Sequence, residues 1–116
     1  MKVPYLERRE IPKRKIVNYL LDLTHPDGRG KAIFFMRFGF TLEKWEQLAD
    51  ALRTHAHEHE VAQVEQSPFG VRYVVEGSLN TADGRNPIVR SVWFVETDQD
   101  ITRFVTAYAL EVNRDD

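Results

Sequence analysis

Near residue 60 the spacing of apolar residues changes from the three-and-four of a helix to strict alternation, and that switch restricts the fold more than any other feature of the chain. Before it, Ile16, Val17, Tyr19, Leu20 and Leu21 follow a proline suited to a first helical turn and predict a helix over 12–21. Ala32, Ile33, Phe34, Phe35, Met36 and Phe38 predict a short second helix over 31–38, apolar nearly all round and so expected to be buried, with Gly39 as its C-terminal cap. Thr41 suits the N-cap of a third helix whose Trp45, Leu48, Ala49, Leu52 and Ala56 share one face and which should end near His57. The piece from 3 to 9 reads as a packed arm or a short helix.

After the switch, 61–65 is a short strand and 71–76 a longer one with Val71, Tyr73 and Val75 on one face. An Asp83-Gly84 hairpin loop over 81–86 leads to a strand over 88–96, with Ile88, Val92 and Phe94 facing one way and Val89, Trp93 and Val95 the other. A turn at 98–100 precedes the last strand, 102–112, which sets Phe104, Thr106, Tyr108 and Leu110 against Arg103, Val105, Ala107 and Ala109. Helices followed by strands on short polar loops define an α+β class: N-terminal helices (about 12–57) packed on a four-stranded antiparallel sheet (about 60–112). The length of 116 residues fits a single domain, 1–116.

The absence of cysteine excludes disulfides and Cys-ligated zinc, and no apolar run approaches the ~20 residues of a membrane span. We expect no membrane partner, no cofactor and a cytoplasmic location. The net charge of −2 conceals an asymmetry: residues 1–31 hold eight Lys/Arg against four acids, or +4, which leaves −6 on the remainder. A basic amino-terminal face could meet a phosphate backbone or an acidic protein partner, and exposed strand edges offer a route to a homodimer.

The unusual chemistry gathers in His25-Pro26-Asp27-Gly28-Arg29-Gly30-Lys31, where a histidine, two glycines and cations enter a helix start that favours anions. His25 is a turn residue of the side-chain type suited to proton transfer near neutral pH, while Lys31 at a helix start opposes the helix dipole unless an anion binds there. Thr106 and Tyr108 place hydroxyls at alternate positions of the last strand, where they could jointly meet a phosphate or ribose. Strict alternation turns Arg103 to the opposite face unless a bulge near 101–104 re-aims it. Trp93 reads as core or as a stacking platform. His55, His57 and His59 invite a metal reading, but no third ligand follows, and a polar helix end accounts for them. No H-E-x-x-H, P-loop, G-x-S-x-G or dinucleotide fingerprint is present.

Lys15 with Asn18-Tyr19-Leu20-Leu21, His25-Pro26-Asp27-Gly28, Gly30-Lys31-Ala32, Phe35 and Gly39-Phe40, then Gly70-Val71-Arg72-Tyr73, Asp83-Gly84-Arg85, Val92-Trp93 and 103–108 together form a pattern. It resembles a bacterial domain of unknown function and, more distantly, the carboxy-terminal toxin domains of contact-dependent inhibition proteins. The resemblance implies the barnase, EndoU, colicin and RelE-like (BECR) ribonuclease fold. It also implies a metal-independent endoribonuclease that cleaves RNA, tRNA or mRNA, through 2′-hydroxyl attack on phosphate, with a cognate antitoxin or immunity protein as partner. By that resemblance His25, Lys31, Thr106 and Tyr108 are expected catalytic residues and Arg103 a substrate contact; Arg29, as a cation at the helix start, and Trp93, as a stacking platform, are the other candidate substrate contacts. The alternative is a non-catalytic protein-interaction domain.

Overall fold

The change in period marks the joint between helices and sheet. In a computed structural model, which describes residues 1–5 and 9–110, β1 (Arg9–Glu10) is followed by α1 (Lys13–Lys15), a π-helical turn (Ile16–Leu20), α2 (Arg29–Arg37) and α3 (Trp45–Glu58). Four strands come next: β2 (Val61–Ser67), β3 (Gly70–Ser78), β4 (Ile88–Glu96) and β5 (Thr102–Ala109). β2 to β5 form the expected antiparallel meander, and the α+β class holds. β1 adds a short parallel pairing to β5, Arg9 opposite Thr102 and Glu10 opposite Arg103, which periodicity over two residues cannot announce.

Three expectations need correction. α2 is not buried all round: Ala32 and Phe35 enter the core, while Ile33 is 40% exposed. Phe34 and Met36 are half-buried against the core, and the half-buried Phe38 ring is covered by Phe34, 4.9 Å away, and by the Arg85 guanidinium, 4.5 Å over it. Thr41 caps a preceding turn, accepting the Lys44 N–H at 3.2 Å, and the helix proper begins at Trp45. β5 ends at Ala109, and its predicted continuation over 111–112 lies outside the described residues. The predicted arm over 3–9 lies partly outside them too, but Val3 is buried and the Thr102 hydroxyl donates to the Pro4 carbonyl at 2.5 Å. Gly39 caps α2 as expected. At φ +97° it directs its own N–H to Met36 O and that of Phe40 to Phe35 O, the paired bonds of a Schellman motif.

The core lies between the helices and one sheet face, with Ile16, Leu20, Phe35, Leu48 and Leu52 against Val75, Val89, Trp93 and Phe104. β5 carries a bulge: Thr106 pairs with Val92 but Phe104 pairs with Trp93, so Val105 is an extra residue. The bulge reverses the alternation. Phe104 and Ala107 both turn into the core, and Arg103 shares the outer face with Thr106 and Tyr108. The simple alternation expected for β5 fails at this one residue.

Buried His55 joins α3 to the sheet. Its Nε2 lies 3.0 Å from Gly77 O and 3.1 Å from Val89 O, and its Nδ1 2.8 Å from the Ser91 hydroxyl, which accepts the Trp93 indole N–H at 2.9 Å. Two carbonyls at Nε2 place the proton there and leave Nδ1 as acceptor, so the ring is neutral and fully partnered. His59 Nε2 bonds to Ser78 O at 2.8 Å, and among the described residues no three His, Cys, Asp or Glu side chains group closely enough to hold a metal ion.

Burial holds the His55 pKa below its ordinary 6.5 despite the two carbonyls, so the unfolded chain takes up a proton that the folded one refuses. This contribution to stability is fully present above about 6.5 and declines as pH falls from there to the depressed folded value. Thermal midpoints of the wild type should therefore drop between pH 7.5 and 5, and those of His55→Leu, lower throughout, should slope less over that interval. Equal slopes would assign the acid sensitivity to another group.

Candidate functional site

The site is built on Tyr19, in the π-helical turn of residues 16–20. An i+5 bond, Leu21 N–H to Ile16 O at 2.8 Å, widens the helix there, and such turns are frequent at functional sites. The Tyr19 hydroxyl meets the Thr106 hydroxyl at 3.0 Å. Ammonium groups approach its ring at 5.7 Å (Lys15) and 5.3 Å (Lys31), and the His25 ring packs edge-on at 5.1 Å. Gly28 completes the arrangement, because any Cβ there would run into the Tyr19 carbonyl oxygen. Only glycine lets the 25–28 loop lie this close.

These contacts enclose an open cleft of about 500 Å³ lined by Arg14, Lys15, Asn18, Tyr19, His25, Val105 and Thr106. Two local features fix its polar groups. The Val105 bulge leaves a backbone carbonyl at the edge of β5, and Lys15 Nζ donates to it at 3.2 Å, holding the ammonium at the cleft wall. His25 Nδ1 accepts the Asp27 and Gly28 N–H groups at 3.0 and 2.9 Å, so the ring proton sits on Nε2, the nitrogen free of the loop. His25 thus stands as a hydrogen-bond donor. Asp22 orders the entry to the turn by accepting the Thr24 hydroxyl at 2.6 Å and its N–H at 2.9 Å, bonds that hold its carboxyl below the usual range.

Of the residues singled out from the sequence, His25 and Thr106 meet in this cleft and Lys31 stands behind the Tyr19 ring, its Nζ donating to Asp27 O at 3.3 Å. The others lie elsewhere. Tyr108 is on the outer sheet face, where its hydroxyl accepts from Arg90 at 3.3 Å, and Arg90 is also ion-paired with Glu76. Arg29 is exposed at the first position of α2. Trp93 is fully buried against Phe104, which removes it from any substrate surface and makes it core. Arg103 faces a neighbouring hollow. Arg14, Lys15, Asn18 and Tyr19 escaped selection as site residues, although the spacing of Lys15, Asn18 and Tyr19 (i, i+3, i+4) already puts them on one helical face.

Residues 2–111 match the family described as Domain of unknown function (DUF6883). The chain belongs to that family. Comparison with curated proteins gives no match. Among solved structures, the DUF6883 chain is similar to one from the contact-dependent growth inhibition toxin–immunity protein complex of Klebsiella pneumoniae 342, with a TM-score of 0.67 and 16% identity over 84% of this chain and 95% of that one. At that identity the likeness is one of fold. Among the described residues of this DUF6883 domain no helix is long and apolar enough to cross a membrane.

Proposed function

We propose that this DUF6883 domain is a toxin-like endoribonuclease that cleaves RNA, with tRNA as one substrate, through attack of a ribose 2′-hydroxyl on the adjacent phosphorus. The observation that carries the reading is the single cleft in which two cations, a histidine N–H and a pair of hydroxyls converge: Arg14, Lys15, His25, Tyr19 and Thr106. The fold likeness to a chain of a toxin–immunity protein complex supports the toxin-like part of this reading and a cognate immunity protein as partner.

In this reading the scissile phosphate binds at Arg14 and Lys15, whose charges offset the extra negative charge of the phosphorane. The Tyr19–Thr106 hydroxyl pair addresses the ribose. His25 donates from Nε2 to a non-bridging oxygen, a narrower role than general acid/base, because acting as base would require its proton to move to Nδ1 at the expense of two amide bonds. The 2′-oxygen forms a bond to phosphorus as the bond to the 5′-oxygen breaks. The 2′-hydroxyl proton passes to water, and the Lys15 ammonium supplies one to the departing oxygen. The products are a 2′,3′-cyclic phosphate and a free 5′-hydroxyl, and these steps need no metal.

Purified protein incubated with tRNA and with mRNA in the presence of a chelator should yield fragments carrying those ends, and expression in bacteria should arrest growth unless the immunity protein is present. Intact RNA together with normal growth would overturn the proposal.

A further inference from the structure

We infer that the cleft is one part of a longer track for single-stranded RNA, continued across β5 by a second hollow where a neighbouring base stacks on Phe94 and its phosphate meets Arg103. The inference rests on the ribonuclease reading, which it extends to the length and strandedness of the substrate.

The two hollows are contiguous. The second, of about 300 Å³, has Arg14, Lys15 and Val105 in common with the cleft and adds Phe94, Arg103 and Glu10 beyond them. The Val105 bulge creates this continuity. Without the extra residue, Arg103 and Thr106 would point to opposite faces; with it, Arg103 (opposite Phe94) and Thr106 (opposite Val92) lie on the same side of the sheet. Three cations thus line the two adjoining hollows, Arg14 and Lys15 in both and Arg103 in the second beside the Phe94 ring, the combination that holds single strands by backbone charge and base stacking.

Phe94 is half-buried on the outer sheet face, and its ring tip sits over Gly70, where an added Cβ would come within 2.8 Å of it. The sheet backbone thus supports the ring at the rim of the hollow. Arg103 is held only loosely by its carboxylates, 3.9 Å from Glu10 and 3.6 Å from Glu96, with every partner about half exposed. Such pairs contribute little, so a phosphate can take the guanidinium from them and form two shorter charge-assisted bonds. Stacking on Phe94 accepts any base, which predicts weak sequence preference at that position.

The test is binding of a fluorescein-labelled 2′-O-methyl RNA hexamer, which cannot be cleaved by 2′-oxygen attack, followed by anisotropy across a salt series. The wild type should bind. Phe94→Ala should weaken binding about tenfold or more, and Arg103→Ala should both weaken it and reduce the salt slope by about one. Arg53→Ala, which removes a charge of the same sign from α3 and lines neither hollow, should leave binding unchanged. Phe94→Leu keeps an apolar side chain in the sheet while removing the stacking face, so a loss matching that of Phe94→Ala separates stacking from folding. In parallel cleavage assays the Phe94 variants should raise KM and leave kcat near the wild-type value. If wild-type protein cleaves RNA while the Phe94 and Arg103 variants bind as tightly as it does, the track is wrong and the ribonuclease reading stands. If it binds the hexamer with the expected losses but cleaves nothing, the track stands and the ribonuclease reading falls. No binding by the wild type overturns the track.

Discussion

RNA cleavage by the His25→Ala variant should fall about 10²–10³-fold, the effect of deleting one preorganised donor at an oxyanion. The protein should still fold, because His25 is only partly buried and lies in a turn. His25→Gln decides the role of the ring. A glutamine amide can still donate to a phosphate oxygen, so it should recover part of the rate; recovery of none would mean that the ring transfers the proton itself. Lys15→Ala should cost at least as much, since it removes a phosphate cation, the proton for the 5′-oxygen and the clamp on the Val105 carbonyl together. Tyr108→Phe, with its hydroxyl engaged by Arg90 away from the cleft, should cleave nearly as well as wild type. Full cleavage by both His25→Ala and Lys15→Ala would remove the cleft from consideration as the site of chemistry.

The second large effect is on stability. Trp93→Ala should cost about 3–5 kcal/mol in urea unfolding, the usual cost of emptying a large aromatic site in a packed core. The side chain has no exposed surface, packs edge-on against Phe104 at 5.3 Å, and donates its indole N–H to Ser91. Its loss would also leave the buried Ser91 hydroxyl, which holds His55 Nδ1, without the N–H it accepts, and a buried hydrogen bond left unmade costs more than a made one contributes. Trp93→Phe should be milder and, if folded, should bind RNA as wild type does. An unchanged midpoint for Trp93→Ala would refute the core assignment, and impaired RNA binding by a folded Trp93→Phe would restore Trp93 as a substrate contact.

The two substitutions probe residues of different legibility. Trp93 appears in an alternating strand with bulky neighbours at both parities, so its one-dimensional context left core and platform open. Burial between β4 and the helices decides for core. His25 is legible as a turn residue from Pro26 and Gly28, but the tautomer that defines its chemistry depends on two backbone amides aimed at Nδ1, a three-dimensional fact. Lys15 was visible as a cation, and its position in the cleft depends on a carbonyl 90 residues away in sequence.

The sequence by itself determined the α+β class, the order of helices and strands, the cap at Gly39 and the faces of β3 and β4, because each follows from local periodicity or the conformational freedom of a single residue. The tertiary structure alone decided the β1 pairing, the π-helical turn, the Val105 bulge and the cleft they frame. These depend on how separate segments pack, and an extra residue in a strand or an i+5 bond in a helix is settled by the surface it must fit, not by the pattern that precedes it.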